Sequence, residues 1–270
     1  FSELNIRNID DLHQAAEEHQ IMKLSGFGRK SEQNILKSIS RYKKSNKRML
    51  LDQAWTLAGE VINFLQDNAE IIKIDAAGSL RRMKETVGDI DILSVSSKPE
   101  KLMETLANIP NKQRILVQGK TKTALLLKEG IQVDFRCIDQ ESYGAALVYF
   151  TGSKSHNIEL RKIASDKGYK LSEYGLFRKK SKKLIAGSSE KEIYQKLGLN
   201  CIPPELRENR GELEKFRKNN FPNLIELKHI RGDLQMHTKY SDGHNSITEM
   251  AKKAAELDYD YICITDHSKS

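Results

Sequence analysis

The run GDIDIL, residues 88–93, constrains the fold more than any other stretch of the chain. Asp89 and Asp91 alternate with Ile90 and Ile92, and a strand turns successive side chains to opposite faces. One face is therefore apolar and demands burial, while the other carries two carboxylates side by side. Such a pair repels itself unless a cation lies between its members. Hard carboxylate oxygens suit Mg²⁺ or Mn²⁺. A later run, LLLKEGIQVDFRCI, is expected to form a hairpin turning at Glu129 and Gly130. Its Asp134 stands between Val133 and Phe135, and if that strand pairs beside the first, a third carboxylate joins the cluster. Three carboxylates hold two metal ions about 4 Å apart, the arrangement that clamps attacking and leaving oxygens in phosphoryl transfer.

The surrounding pattern predicts an α+β fold on a mixed or antiparallel sheet. Residues 71–76, 89–96, 113–118, 123–128 and 131–138 read as strands rich in Ile, Val and Leu, with a helix starting near Pro99. Before them come helices to about residue 40, interrupted by LSGFG, and a helix over 49–68 with Trp55, Leu57, Val61, Ile62 and Leu65 on its apolar face. After them the spacing predicts helices over 143–167, a hairpin around RKKSKK (178–183) and a helix over 189–197. Pro203, Pro204 and the charged stretch 205–220 read as a boundary and linker, and a further α/β unit begins near residue 229.

The formal net charge of +8 favours a polyanionic partner, although the basic runs 41–48 and 178–183 taken singly read as solvated loops. The three cysteines, Cys137, Cys201 and Cys263, are odd in number and far apart, which argues against a disulfide framework and for a reducing cytoplasm. No run is long and apolar enough to span a bilayer, and nothing in these residues reads as a signal peptide. Starting on Phe1 without Met and stopping just after YICITDHS, the sequence is expected to be a piece of a longer chain.

A lone Asp-x-Asp pair is more often a solvated sheet face than a metal site. The upstream Gly78-Ser79, followed by Arg81 and Arg82, changes that balance. A glycine lets backbone N–H groups approach phosphate, and a hydroxyl and guanidinium supply further donors. Gly-Ser, then Gly-Asp-x-Asp, then a distant strand Asp reads as a nucleotidyltransferase.

The motifs GSLRR, GDIDIL and VDFR resemble the palm of the family X DNA polymerases, which have the nucleotidyltransferase fold. YFTGSKSHN (149–157) is similar to that family's nucleotide pocket, and CIPPELRENRGELE resembles the end of its thumb in prokaryotic members. The resemblance implies a fingers segment at 1–46, a palm at 47–138, a thumb at 139–210, a linker at 211–228 and the start of a PHP domain at 229–270. It also implies that Asp89 and Asp91 hold two Mg²⁺ or Mn²⁺ ions. Asp134 would bind the catalytic ion and help deprotonate a primer 3′-hydroxyl. Gly78, Ser79, Arg82 and the backbone at Gly88 would bind the triphosphate. Tyr149, Phe150 and Gly152 would pack on the sugar, Asn157 would reach the base and Arg161 the template strand. Lys154 departs from the family pattern, standing where some animal members carry an Asp beside the base.

LSGFGRK fits a helix-hairpin-helix loop in which Gly26, Gly28 and Lys30 would grip a DNA phosphate. RGDLQMHTKYSDG and ITDHS resemble the first two PHP motifs, with His237, Asp242 and His267 at ligand positions for Mn²⁺ or Zn²⁺. Gln235 replaces the first His of the usual His-x-His. The implied function is dNMP addition to a primer in short-gap repair, by a monomer in the cytoplasm associated with the nucleoid. The implied partners are gapped or primer-template DNA and dNTP, with no membrane. An RNA-tailing or template-independent nucleotidyltransferase shares the Gly-Ser and Asp-x-Asp motifs and stands as the alternative, ahead of a non-catalytic DNA scaffold.

Overall fold

The structure is a computed structural model that describes residues 4, 6, 8–24, 26–45, 48–217 and 223–268; for 40–45 it describes the backbone alone. The side chains of the basic run 41–47 and Ser25 of the LSGFG loop therefore lie outside the described residues. The chain divides into two compact units, residues 1–220 and 221–270.

The first unit opens with α1 (Ile9–Glu17) and α2 (Arg29–Ser45). Asn8 starts α1 through a capping box: its side chain accepts from the N–H groups of Asp10 and Asp11, and Asp11 accepts from Asn8 N–H. Ala15, Ala16 and Ile21 form a small core with Ile35 and Leu36 beside it.

There follow β1 (Met49–Leu50), α3 (Leu51–Asn68), β2 (Lys73–Ala76), α4 (Gly78–Arg81), β3 (Thr86–Val87), β4 (Asp89–Val95), α5 (Pro99–Ala107), β5 (Lys112–Gln118), β6 (Lys122–Leu127) and β7 (Gln132–Cys137). Strands β2-β4-β7-β6-β5 make a five-stranded sheet in that order. Only β4 and β7 pair in parallel; the other neighbours are antiparallel, and β6–β7 is the expected hairpin. Alternation decides what each face does. Ile90, Ile92, Val133 and Phe135 turn to one face and are buried with Leu57, Val61 and Leu65 of α3 and Leu102, Met103 and Leu106 of α5. Asp89, Asp91, Leu93 and Val95 share the other face of β4. There Leu93 and Val95 are covered by Tyr143, Ala146 and Leu147, and the carboxylates sit at the uncovered end of the strand.

The covering residues belong to α6 (Tyr143–Thr151), followed by α7 (Lys154–Asp166), β8 (Tyr169–Ser172), β9 (Gly175–Arg178), β10 (Leu184–Ala186), α8 (Glu190–Lys196) and α9 (Glu212–Arg217). The helical stretch expected over 143–167 breaks at Gly152, whose φ of +68° ends α6, and Ser153 restarts it by accepting from His156 N–H. β8, β9 and β10 form an antiparallel three-stranded sheet. Leu160, Leu171, Leu176, Ile193, Tyr194 and Leu197 fill the core beneath it.

Two sequence expectations need correction. The segment read as a linker from residue 205 or 211 is structured as far as α9, because Leu213 and Phe216 are buried in that same core and Arg207 is fully buried. And Gly78 and Ser79, expected to form the turn that cradles a triphosphate, open a short helix, α4, with Ala77 between it and β2.

In the second unit β11 (Gly232–Met236) and β12 (Tyr261–Ile264) pair in parallel across α10 (Ile247–Glu256), which starts on a Ser246–Glu249 capping box. No helix among the described residues is long and apolar enough to cross a membrane.

Candidate active site

Three carboxylates meet on the open face of the five-stranded sheet. Asp91 on β4 is in direct register with Asp134 on β7, and Asp89 lies one pleat away on the same face. Their mutual repulsion is visible in protonation. Burial, then Asp89 and Asp134, push the Asp91 carboxyl up to about 7, against the pull of Arg136 and Arg82. Asp89 is raised too, by burial and Asp134, with Arg48 opposing. Asp134 is steadied by Gln132, whose Nε2 donates to Oδ2 at 2.5 Å, and by Lys122 Nζ at 3.8 Å. A group of three carboxylates in which burial and mutual repulsion disfavour charge on Asp89 and Asp91 fits divalent cations, which would relieve that repulsion.

The glycine turn is built against this cluster. Gly78 has φ +61°, and a Cβ there would overlap Asp91 Oδ2. Ala77 N–H donates to Asp91 O at 2.8 Å, which locks α4 to β4. Above them opens a cleft of about 360 Å³. Gly78, Ser79, Arg82, Asp89 and Asp91 line one side of it. Tyr149, Phe150, Gly152, Asn157 and Arg161 line the other, together with Thr151 and Lys154.

The cleft thus gathers the palm and nucleotide-pocket residues singled out from sequence except Gly88 and Asp134. Gly88 stands apart, with Arg48 Nη1 as its neighbour, and Asp134 contributes to the carboxylate cluster without lining the cleft. Arg82 does not project freely: Nε donates to Glu208 at 2.8 Å and Nη1 to Thr151 O at 2.5 Å. Asn157 Nδ2 donates to Tyr149 O at 2.7 Å, while its buried Oδ1 has no hydrogen-bond partner. The Tyr149 and Phe150 rings meet edge to face at 5.0 Å, and Arg136 lies over the Phe150 ring at 4.6 Å.

The sequence reading missed what frames the cleft. Arg81, next to Arg82, turns away from it and donates to Thr151 Oγ1 and to both oxygens of Glu190. Arg207 also donates to Glu190, at 2.6 Å. Burial raises the Glu190 pKa, but Arg81 and Arg207 outweigh it and hold the carboxyl below its ordinary value. Glu190 and Arg207 sit in stretches that read as ordinary helix start and linker, so no local pattern pointed to them.

In the connector between α1 and α2 Gly26 has φ +84°, as a tight turn requires. Gly28 has no positive φ, and a Cβ there would meet nothing within 4 Å. Lys30 is exposed in the first turn of α2. Buried Glu32 accepts from Met22 N–H at 3.0 Å and lies 2.7 Å from His19 Nδ1, tying the connector to α2.

In the second unit the ligand atoms of His237, Asp242 and His267 lie within 4.8 Å of one another. His237 Nδ1 is buried 3.0 Å from Asp242 Oδ1, yet the geometry makes no hydrogen bond. An orphaned ring nitrogen facing a carboxylate fits a metal ion. Asp266, not singled out from sequence, fixes the loop by accepting from Thr238 N–H, Thr238 Oγ1 and Ser241 Oγ, each at 2.6 Å. Gln235 is exposed.

Residues 146–208 match the DNA polymerase beta thumb family and residues 233–270 the PHP domain family. The DNA polymerase/3′-5′ exonuclease PolX of Bacillus subtilis is 38% identical over 271 residues, covering all of this chain and 47% of that protein, so the chain spans about half the relative's length. The repair DNA polymerase X of African swine fever virus is 32% identical over 160 residues, which are 57% of this chain and 89% of the viral protein. Among solved structures, the ternary gap complex of Leishmania infantum polymerase beta superposes with a TM-score of 0.57 at 20% identity, covering 75% of this chain and 81% of that one. Its primer-template counterpart gives 0.56 at 21%, over 77% and 91%. These superpositions establish the α+β polymerase beta fold. With sequence agreement along nearly the whole viral polymerase added to that fold, the chain belongs to the family X DNA polymerases.

Proposed function

We propose that the chain holds the nucleotidyl-transfer centre of a DNA polymerase that adds dNMP from dNTP to a primer 3′-hydroxyl during short-gap repair. The observation that carries this reading is the register of Asp91 with Asp134 on parallel strands, with Asp89 on the same face. Polymerases of this family use divalent metal ions. Asp89, Asp91 and Asp134 would hold two of them here, Mg²⁺ or Mn²⁺. Bound cations would neutralise the cluster and stabilise charge on the attacking and leaving oxygens.

The residues divide the remaining work. Asp134, steadied by Gln132, accepts the proton of the primer hydroxyl. Ser79 and Arg82 donate to the triphosphate, Arg82 from a guanidinium already oriented by Glu208. The Tyr149 and Phe150 rings pack on the sugar. Asn157 offers its unpartnered Oδ1 toward the base or template edge, and Arg161 stands at the same wall. The helix-hairpin-helix loop holds a backbone phosphate without reading sequence. In the second unit, His237, Asp242 and His267 would take Mn²⁺ or Zn²⁺ as part of a phosphoester-hydrolysing centre. We place the protein as a monomer in the cytoplasm, on nucleoid DNA.

Single-nucleotide gap filling with Mg²⁺ or Mn²⁺ tests the central claim. Asp89→Ala should slow extension by about a thousandfold or more. Extension at the wild-type rate would refute the assigned centre, and robust ribonucleotide tailing without template would replace the polymerase by an RNA-tailing enzyme.

A further inference from the structure

We propose that the outer face of the β8–β9–β10 sheet, with the basic turn that follows β9, binds the template strand as a single strand where it leaves the nucleotide cleft. The inference rests on the polymerase reading and names a partner surface for that same cleft. It begins with the pleat. Leu171 and Leu176 are register partners buried in the core, so their neighbours Lys170 and Phe177, also partners, turn outward together. Beside them opens a groove of about 400 Å³ lined by Lys170, Tyr174, Phe177, Arg178, Lys179 and Lys182, with Ser172 at its edge.

The basic run 178–183 supplies Arg178, Lys179 and Lys182 to that lining, and its setting argues against a merely solvated loop. No carboxylate lines the groove. Among the described residues, none of its four cations makes an ion pair, whereas surface lysines elsewhere do, as Lys98 with Glu70 and Lys120 with Glu100. Lys179 is held in place, its Nζ donating to Ser165 O at 3.3 Å and Ser165 Oγ at 2.6 Å. Uncompensated cations around a concavity suit a polyanion. Two aromatic rings stand among them, and Tyr174 is 65% exposed. Cations that follow a backbone beside rings on which bases stack are the chemistry of single-strand recognition, since the bases of a duplex are already stacked on each other.

The polymerase reading sets the template strand at Arg161, and continuity of the hollows then gives its path. Arg161 lines the nucleotide cleft and also a small hollow that reaches Leu171 and Ser172, and Ser172 lines the basic groove. A strand paired in the cleft near Arg161 therefore has an adjoining path across Ser172 onto Lys170 and Tyr174.

The test is fluorescence anisotropy with primer-template DNA whose 5′ template overhang grows from one nucleotide to eight. Affinity of the wild-type chain should rise about tenfold with overhang length. Lys170→Ala/Arg178→Ala/Lys182→Ala should abolish the rise and lower the slope of log affinity against log salt by about 2, near 0.7 per lost phosphate contact. Tyr174→Ala should remove most of the rise with the salt slope kept. Binding and extension of the one-nucleotide overhang should match wild type in both variants. No rise in the wild type, an unchanged rise in the triple variant, or an equal rise when the overhang is made duplex would overturn the proposal. The polymerase reading is judged separately, by whether the wild type extends the one-nucleotide overhang at all.

Discussion

Replacing Gly78 by alanine separates two effects that the structure places at one residue. The first is conformational: at φ +61° an L side chain is strained, by about 1–2 kcal/mol. The second is steric, because the added Cβ overlaps Asp91 Oδ2 and the carboxylate has to retreat by about 1 Å to a normal contact. Gly130→Ala isolates the first effect, since Gly130 has φ +84° at the β6–β7 turn with nothing within 4 Å of its Cβ position. Denaturant unfolding followed by far-UV circular dichroism reads the loss of the sheet and its helices; Trp55, expected on the apolar face of α3, is 44% exposed and a poor probe of that core. Gly130→Ala should lose about 1–2 kcal/mol and keep gap filling. Gly78→Ala should lose about 1–3 kcal/mol more from overpacking. It should also slow gap filling by about a hundredfold, the usual effect of a 1 Å misplacement in a catalytic centre. Equal stability losses with full activity in both variants would mean that Gly78 does not press on Asp91, and the account of the α4–β4 junction would fail.

The Asp91 carboxyl at about 7 makes stability depend on pH in the metal-free chain. The native state keeps this proton while the unfolded chain, with a carboxyl near 3.9, releases it, so stability is lost as pH rises from about 4 to about 7. In EDTA the denaturation midpoint should fall across that window, and Asp91→Asn should flatten the fall; an equal slope in the variant contradicts it. Glu190→Gln leaves Arg81 and the buried Arg207 without their counter-charge, and unfolding should become easier by about 3–5 kcal/mol. A loss under 1 kcal/mol would show that these ion pairs are not what joins α4 to α8. His237→Ala should weaken Mn²⁺ or Zn²⁺ binding to the second unit in calorimetric titration while gap filling is unchanged. Unaltered metal affinity would remove His237 from the ligand set.

The alternation of Asp89 and Asp91 with buried isoleucines could be read directly, because strand periodicity is a property of local backbone sterics. So could the helix start near Pro99, because a first-turn proline acts within a few residues. The boundary near residue 205 was misplaced for the opposite reason. EN and RGELEK look like linker composition, and only the core that receives Leu213 and Phe216 makes the segment structural.

What the sequence determined by itself is therefore the local half of the centre: two carboxylates on one face of a strand, and a Gly-Ser pair followed by arginines just ahead of them. Tertiary structure alone decided that β4 pairs in parallel with β7, bringing Asp134 opposite Asp91. It alone turned Arg81 toward Glu190 and Arg82 toward Glu208. Adjacent arginines look alike in a sequence. Which one reaches the cleft depends on where distant glutamates come to rest, and that is settled by burial of the whole core.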